Sequence, residues 1–349
     1  MTRSGEDWNA AATVLDVRNL RVTLRTDDGP ARVLDEVSLR VRRGEVRGVV
    51  GESGCGKSTL VKTLLGILPP SASVDAGSIE FEAEALLALD QKALSARIRG
   101  RRIGFIPQDP YLALNPVFTV GAQLLDLMRW HAPDGGASPG AQRRDRHRKR
   151  LMELLRAVHL PDAEQALQRY PHEFSGGQRQ RILIAASLAC EPALLIADEP
   201  TSALDVTTQQ EILLLLKQLV REFDLSVLFV THDFGVVAQL CDSVTVMYLG
   251  QTVESGAVAT ILSQPRHPYT RMLLACHPDR ATSLEGIPGS VPSPIDPPSG
   301  CRFRTRCPSA SPQCAVARPR ETRSADGHCV HCVLYDDELP QVGDPNAGG

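Results

Sequence analysis

The chain has 349 residues, room for about two domains. Apolar residues make up 42% and charged residues 23%, a globular balance with enough apolar material for a sizeable core. A formal net charge of −3 counts against a general nucleic-acid binder.

Met1–Ala12 is polar and acidic and lacks the apolar stretch of a signal peptide, so residues 1–13 are expected to be disordered. Val14–Val41 alternates apolar and polar residues (Leu15, Val17, Leu20, Val22; Val33, Val37, Leu39, Val41), the period of half-buried strands, with a turn at Asp27–Pro30. Three short apolar runs then end in polar chemistry: Val46–Val50 before Gly51, Ala193–Ala197 before Asp198, and Val227–Val230 before Thr231 and His232. Such runs predict buried parallel strands of an α/β fold, whose sites sit at strand carboxyl ends. From Gln108 to Ile184 the pattern is mainly helical, and the basic run His131–Arg150 reads as a solvated loop and helix start. Ile182–Ala197 is the longest apolar candidate, but Glu191 and Pro192 interrupt it, so no membrane span is expected. The protein is therefore expected in the cytoplasm, with any membrane role supplied by a partner. Val258–Leu274 predicts a further helical stretch, and Pro288, Pro292, Pro294, Pro297 and Pro298 then rule out long helices.

Gly51-Glu52-Ser53-Gly54-Cys55-Gly56-Lys57-Ser58-Thr59 fits the phosphate-loop pattern G-x-x-x-x-G-K-[ST], between a strand and a helix over Leu60–Leu68. Gly51, Gly54 and Gly56 let the backbone turn tightly and aim its N–H groups at phosphate oxygens. The helix N-terminus adds positive dipole character. Lys57 is placed to reach β- and γ-phosphates of ATP, and Ser58 to bind Mg²⁺. Asp198 is placed to hold that Mg²⁺ through water, and Glu199 to polarise the attacking water. Cys55 reads as a small tolerated residue rather than a redox group.

Phe174-Ser175-Gly176-Gly177-Gln178 opens another helix, and an exposed hydroxyl with bare glycine amides makes a second anion corner. It lies about 20 residues before Asp198 and resembles the signature motif of ABC ATPases, whose usual first residue is Leu. Further segments extend that resemblance. Gln108 resembles the Q-loop glutamine, which contacts Mg²⁺ and the attacking water. Ser202-Ala203-Leu204-Asp205 resembles the D-loop, and His232 the switch histidine at the γ-phosphate. The resemblance implies a P-loop NTPase cassette over residues 14–275: a RecA-like core, an antiparallel β subdomain and a helical subdomain at about 109–185. It also implies a head-to-tail dimer with a second ATPase subunit, a copy or a paralogue, in which Ser175, Gly176, Gly177 and Gln178 close over the partner's ATP, with Asp205 nearby. One departure concerns the base. No Phe, Tyr or Trp lies between Thr13 and Val50 to stack on adenine, which leaves Leu24, Arg25 or Arg32.

His267-Pro268-Tyr269-Thr270-Arg271 and the Pro- and Cys-bearing segment beyond it resemble the oligopeptide/dipeptide/nickel importer branch of ABC ATPases. That resemblance implies an ATPase subunit on the cytoplasmic face of the membrane, working with two permease subunits and an extracytoplasmic solute-binding protein. A non-transport ABC ATPase and an exporter subunit are the alternatives. Residues 276–334 form the Cys-rich extension of this reading, and 335–349 an acidic disordered tail. Cys301, Cys307, Cys314 and Cys332 are spaced C-x5-C-x6-C-x17-C. Four thiolates suit an iron–sulfur cluster or Zn²⁺, and the branch resemblance implies [4Fe–4S] on this set. Cys329 is an extra thiol that could compete, and His328 and His331 read as bystanders.

Overall fold

The computed structural model describes residues 13–135, 140–276 and 286–336. Strands β1 (Thr13–Thr26) and β2 (Gly29–Arg42) form a long antiparallel hairpin, with Thr26 opposite Gly29 across the expected turn. Their alternation buries Leu15, Val17, Leu20, Val22, Val37, Leu39 and Val41 on one face. The remaining strands are β3 (Val46–Val50), β4 (Ala72–Phe81), β5 (Glu84–Ala85), β6 (Ile103–Ile106), β7 (Leu194–Asp198), β8 (Ser226–Thr231), β9 (Ser243–Tyr248), β10 (Gln251–Ala257), β11 (Glu321–Arg323) and β12 (Cys329–His331). They form two sheets, a smaller one in the order β2-β1-β4-β5 and a larger one in the order β11-β12-β10-β9-β3-β8-β7-β6.

The three apolar runs singled out in the sequence are β3, β8 and β7, adjacent and parallel at the centre of the larger sheet. Successive side chains serve opposite faces. Val49, Leu194, Ile196, Leu228 and Val230 pack toward the smaller sheet and the helix Lys57–Leu64. Val46, Val50, Leu195, Ala197, Val227 and Phe229 pack toward the helices on the other side. Both faces are covered, which is why these runs lack the polar alternation of β1 and β2.

Between β6 and β7 the chain is helical, with helices Val120–His131, Ala141–Ala157 and Gly176–Leu188. The basic run His131–Arg150, expected as a solvated loop and helix start, enters the second of these at Ala141. Its buried positions His147, Leu151, Leu154 and Leu155 follow helical spacing, and the arginines occupy the outer face. Among the described residues no helix is long and apolar enough to cross a membrane.

The end of the chain rejoins the main sheet. β12 pairs antiparallel with β10, placing Val330 opposite Glu254 and Cys329 opposite Ser255, and β11 pairs outside it. Glu254 is fully buried there. Its carboxylate accepts the backbone N–H groups of Arg266 at 2.6 Å and His267 at 3.1 Å, and lies 2.7 Å from His328 Nε2. These partners satisfy a carboxylate that would otherwise be costly to bury. Tyr335 and Asp336, read from sequence as the start of the acidic tail, take part in the fold. Arg271 donates to the Tyr335 hydroxyl at 2.9 Å, and the Arg320 N–H donates to Asp336 at 3.0 Å. The rest of that tail and residues 1–12 lie outside the described residues.

Candidate active site

Because β3, β8, β7 and β6 are consecutive and parallel, their carboxyl ends form one row. The phosphate loop follows β3, His232 follows β8, Asp198 and Glu199 close β7, and Gln108 follows β6. Four segments distant in sequence thus meet at one edge.

The loop needs its glycines. A Cβ on Gly51 would stand 2.2 Å from the Met247 carbonyl oxygen at the end of β9, so only hydrogen fits. Gly56 has φ +104°, and a Cβ there would stand 2.7 Å from the Val33 carbonyl oxygen. Cys55 is buried beneath the loop, and burial raises its thiol pKa against the opposing pull of Lys57. That suits a packed small residue rather than a reactive thiolate. Ser53 and Ser58 are exposed, and Thr59 is half-buried in the first turn of the helix.

Lys57 is buried, and its ammonium donates to the carbonyl oxygens of Gly51 at 2.6 Å and Glu52 at 3.1 Å. Its Nζ also lies 3.9 Å from Glu199 Oε1. The Glu199 N–H donates to the Val230 carbonyl at 2.8 Å, and its backbone is left-handed at φ 45°. Its other carboxylate oxygen stands 3.1 Å from His232 Nδ1. The carboxylate therefore sits between the lysine and the histidine.

Asp198 is only 8% exposed, and its Oδ1 has no hydrogen-bond partner among the described residues. Burial, then the neighbouring charge of Glu199, raises its pKa; the Ser58 hydroxyl and Lys57 oppose this. An orphaned, buried carboxylate oxygen beside a serine hydroxyl fits a hard divalent cation such as Mg²⁺, which takes oxygen ligands. Gln108 is exposed at the end of the row, and among the described residues no hydrogen bond joins it to Asp198 or Glu199.

The Ser-Gly-Gly corner stands apart from this row. Ser175 caps the helix Gly176–Leu188 reciprocally with Gln178: its Oγ accepts the Gln178 N–H at 3.3 Å, and Gln178 Oε1 accepts the Ser175 N–H at 3.1 Å. Gly176 lies against Tyr111 and Leu204, and Gly177 against Thr208. Asp205 caps the helix Val206–Glu222, accepting the Thr208 N–H at 3.0 Å. Among the described residues no hydrogen bond or ion pair links Ser175–Gln178 to the phosphate loop of the same chain.

Cys301, Cys307, Cys314 and Cys332 line one small cavity, together with His267 and Phe303. All four are free thiols, and burial pushes Cys301 and Cys332 up to about 11. Among the described residues no three His, Cys, Asp or Glu side chains are grouped closely enough to hold a metal ion. Cys329, the extra thiol, does not line the cavity; it is buried in β12 with its Sγ directed at the Gly327 carbonyl, 3.5 Å away. His328 is engaged with Glu254, and burial lowers His331 to about 4. Of the residues considered for the base, Leu24 is half-buried opposite Ala31 and Arg25 stands opposite Pro30. Arg32 lines a surface pocket with Leu34 and Ile295.

Residues 34–202 match the family profile described as ABC transporter, and residues 253–314 match that of the oligopeptide/dipeptide transporter C-terminal region. Dipeptide transport ATP-binding protein DppD of Bacillus subtilis is 44% identical over 93% of this chain and 95% of its own length. Oligopeptide transport ATP-binding protein OppD of Salmonella typhimurium is 41% identical over 94% of this chain and 96% of its own length. The chain belongs to the ABC transporter ATP-binding proteins of the oligopeptide and dipeptide group. The dimeric, post-hydrolysis structure of the ATP-binding cassette MJ0796 bound to ADP and Pi aligns with a TM-score of 0.60 at 29% identity, covering 70% of this chain and 98% of that one. The two-sheet architecture with its helical layer is thus the ABC cassette fold, and the subunit is an ATPase of that family.

Two residues at the site carried no chemical role in the sequence reading. Tyr269, inside the importer-like segment, and Arg306, beyond it, both contact Glu52 of the phosphate loop.

Proposed function

We propose that this subunit hydrolyses ATP to drive a membrane permease that imports di- or oligopeptides or related small solutes. The observation that carries the reading is the row of phosphate loop, His232, Asp198–Glu199 and Gln108 at one sheet edge, in a chain that also carries the peptide-importer C-terminal region. Neither alternative, a non-transport ATPase or an exporter subunit, gains support from any feature of the chain.

In this reading Lys57 exchanges the Gly51 and Glu52 carbonyls for β- and γ-phosphate oxygens, which are stronger, charged acceptors. Ser58, Asp198 through water, and Gln108 would hold Mg²⁺, which would supply neutralisation of the phosphate charge. Glu199 orients the attacking water and takes up its proton. His232, fixed through Glu199, contacts the γ-phosphate, and Gln108 senses the same site from β6. Ser175–Gln178 and Asp205 complete the site of a second ATPase subunit, which accounts for their separation from this chain's own loop. The subunit then works peripherally on the cytoplasmic face through two permease subunits, with solute delivered by an extracytoplasmic binding protein.

Co-reconstitution of the subunit with its permease, partner ATPase and binding protein in vesicles tests this. Uptake of labelled dipeptide coupled to Mg-ATP hydrolysis is expected. A folded subunit that ignores Mg-ATP both alone and with those membrane proteins would overturn the reading.

The C-terminal segment is proposed to hold a [4Fe–4S] cluster on Cys301, Cys307, Cys314 and Cys332. The support is four free thiols lining one cavity, the donor type an iron–sulfur cluster takes. Protein purified without oxygen should be brown, with about four irons per chain. A colourless preparation with one zinc would assign the site to Zn²⁺ instead, and one with neither would remove the metal.

A further inference from the structure

Glu52 is the first non-glycine residue of the phosphate loop, and each of its polar groups is held. Its carbonyl accepts from Lys57 at 3.1 Å. Its N–H donates to the Tyr269 hydroxyl at 2.8 Å. Its carboxylate takes both arms of the Arg306 guanidinium, Nη1 to Oε2 at 2.7 Å and Nη2 to Oε1 at 3.1 Å.

Both outer anchors come from beyond β10, more than two hundred residues along the chain. Arg306 is almost wholly buried, its side chain 3% exposed. Its remaining N–H groups donate to the carbonyls of Pro288 at 2.9 Å and Ile287 at 3.0 Å, so the fork has one available orientation. Tyr269 is fully buried and packs with Tyr248 and Phe303, ring centroids 4.7 to 5.2 Å apart. Tyr248 follows Met247, whose carbonyl presses on Gly51. The aromatic cluster, the guanidinium and the start of the loop therefore form one packed unit. A bidentate pair at a rigid site fixes direction as well as distance, which a lysine or amide cannot reproduce.

We propose that Arg306, together with Tyr269, is a positioning residue for ATP. By gripping Glu52, the C-terminal segment sets the loop backbone in the shape that receives the triphosphate. The proposal rests on the phosphate-loop reading above and adds the part of the chain that controls it.

The test compares Arg306→Lys, Arg306→Gln, Glu52→Gln and the Arg306→Gln/Glu52→Gln double variant. The readouts are Mg-ATP affinity, KM and kcat of the full chain, and the nucleotide-free melting temperature. A loop that is less often in its receiving shape binds ground state and transition state equally worse. Arg306→Gln and Glu52→Gln should each weaken ATP binding about tenfold while kcat changes less than about twofold. Arg306→Lys should fall between, and the double variant should be no worse than either single one, because the pair acts as a unit. Arg306→Gln should lower the melting temperature; the variant of the half-buried partner, Glu52→Gln, keeps the test alive if that protein fails to fold. Folded Arg306→Lys and Glu52→Gln proteins with unchanged ATP affinity would overturn the proposal, whatever their stability. Lys57→Ala separates the two levels. If it weakens ATP binding while the Arg306 and Glu52 variants do not, only the positioning role falls. If Lys57→Ala also binds ATP normally, the phosphate-loop reading falls with it.

Discussion

Glu199→Gln should bind Mg-ATP as the native protein does and lower turnover by about 10²–10⁴-fold, the range for loss of a general base. The amide keeps the shape of the side chain, so the contact near Lys57, 3.9 Å away, loses its charge but not its packing. The water beside the γ-phosphate loses its proton acceptor. With binding intact and hydrolysis stalled, a nucleotide-bound dimer should accumulate, visible by size-exclusion chromatography with ATP. Turnover at the native rate would remove Glu199 from its role and leave His232, 3.1 Å from it, as the group to test next.

Ser175→Arg should abolish turnover of the assembled pair by about 10²-fold or more, the scale for removing a transition-state anion donor. ATP binding to the isolated chain should stay within about twofold, since Ser175 touches nothing in this chain's own loop. The substitution also removes a helix cap, with an expected stability loss of about 1 kcal/mol. A parallel Ser175→Ala variant loses the hydroxyl, as cap and as anion donor, without adding bulk or charge, and so isolates the steric block of closure. If Ser175→Arg hydrolyses ATP normally in the assembled state, the corner does not close a partner's site.

Most of the catalytic row was legible in the sequence because three of its strands are short, largely buried and end abruptly in polar residues. Gly51–Thr59, Asp198–Glu199 and Thr231–His232 all follow that rule. The signature corner was legible through its resemblance to the family motif and its place about 20 residues before Asp198, since its helix-cap chemistry alone suits an ordinary N-cap equally well. What escaped the sequence depends on long-range pairing. β12 is three residues inside a proline-rich segment, and its pairing with β10 and β11 makes it a strand. Glu254 reads as a surface charge on a strand until His328 and two backbone amides arrive to bury it. Arg306 and Glu52 stand 254 positions apart, and no local periodicity connects them. The four cysteines fall between these cases. The branch resemblance marked them as a set with Cys329 as an extra thiol, and the folded chain adds that Cys329, opposite Ser255 in β12, does not line the cavity the four share.

The return of the chain end to the main sheet bears on how the polypeptide matures. Until Cys329–His331 has emerged from the ribosome, β10 offers an open row of amides and carbonyls to any extended segment nearby. A nascent or truncated product ending before that point is therefore expected to expose an unpaired strand edge, however complete its nucleotide-handling half. The three-residue strand outside it, Glu321–Arg323, then blunts further addition by being short and charged at both ends.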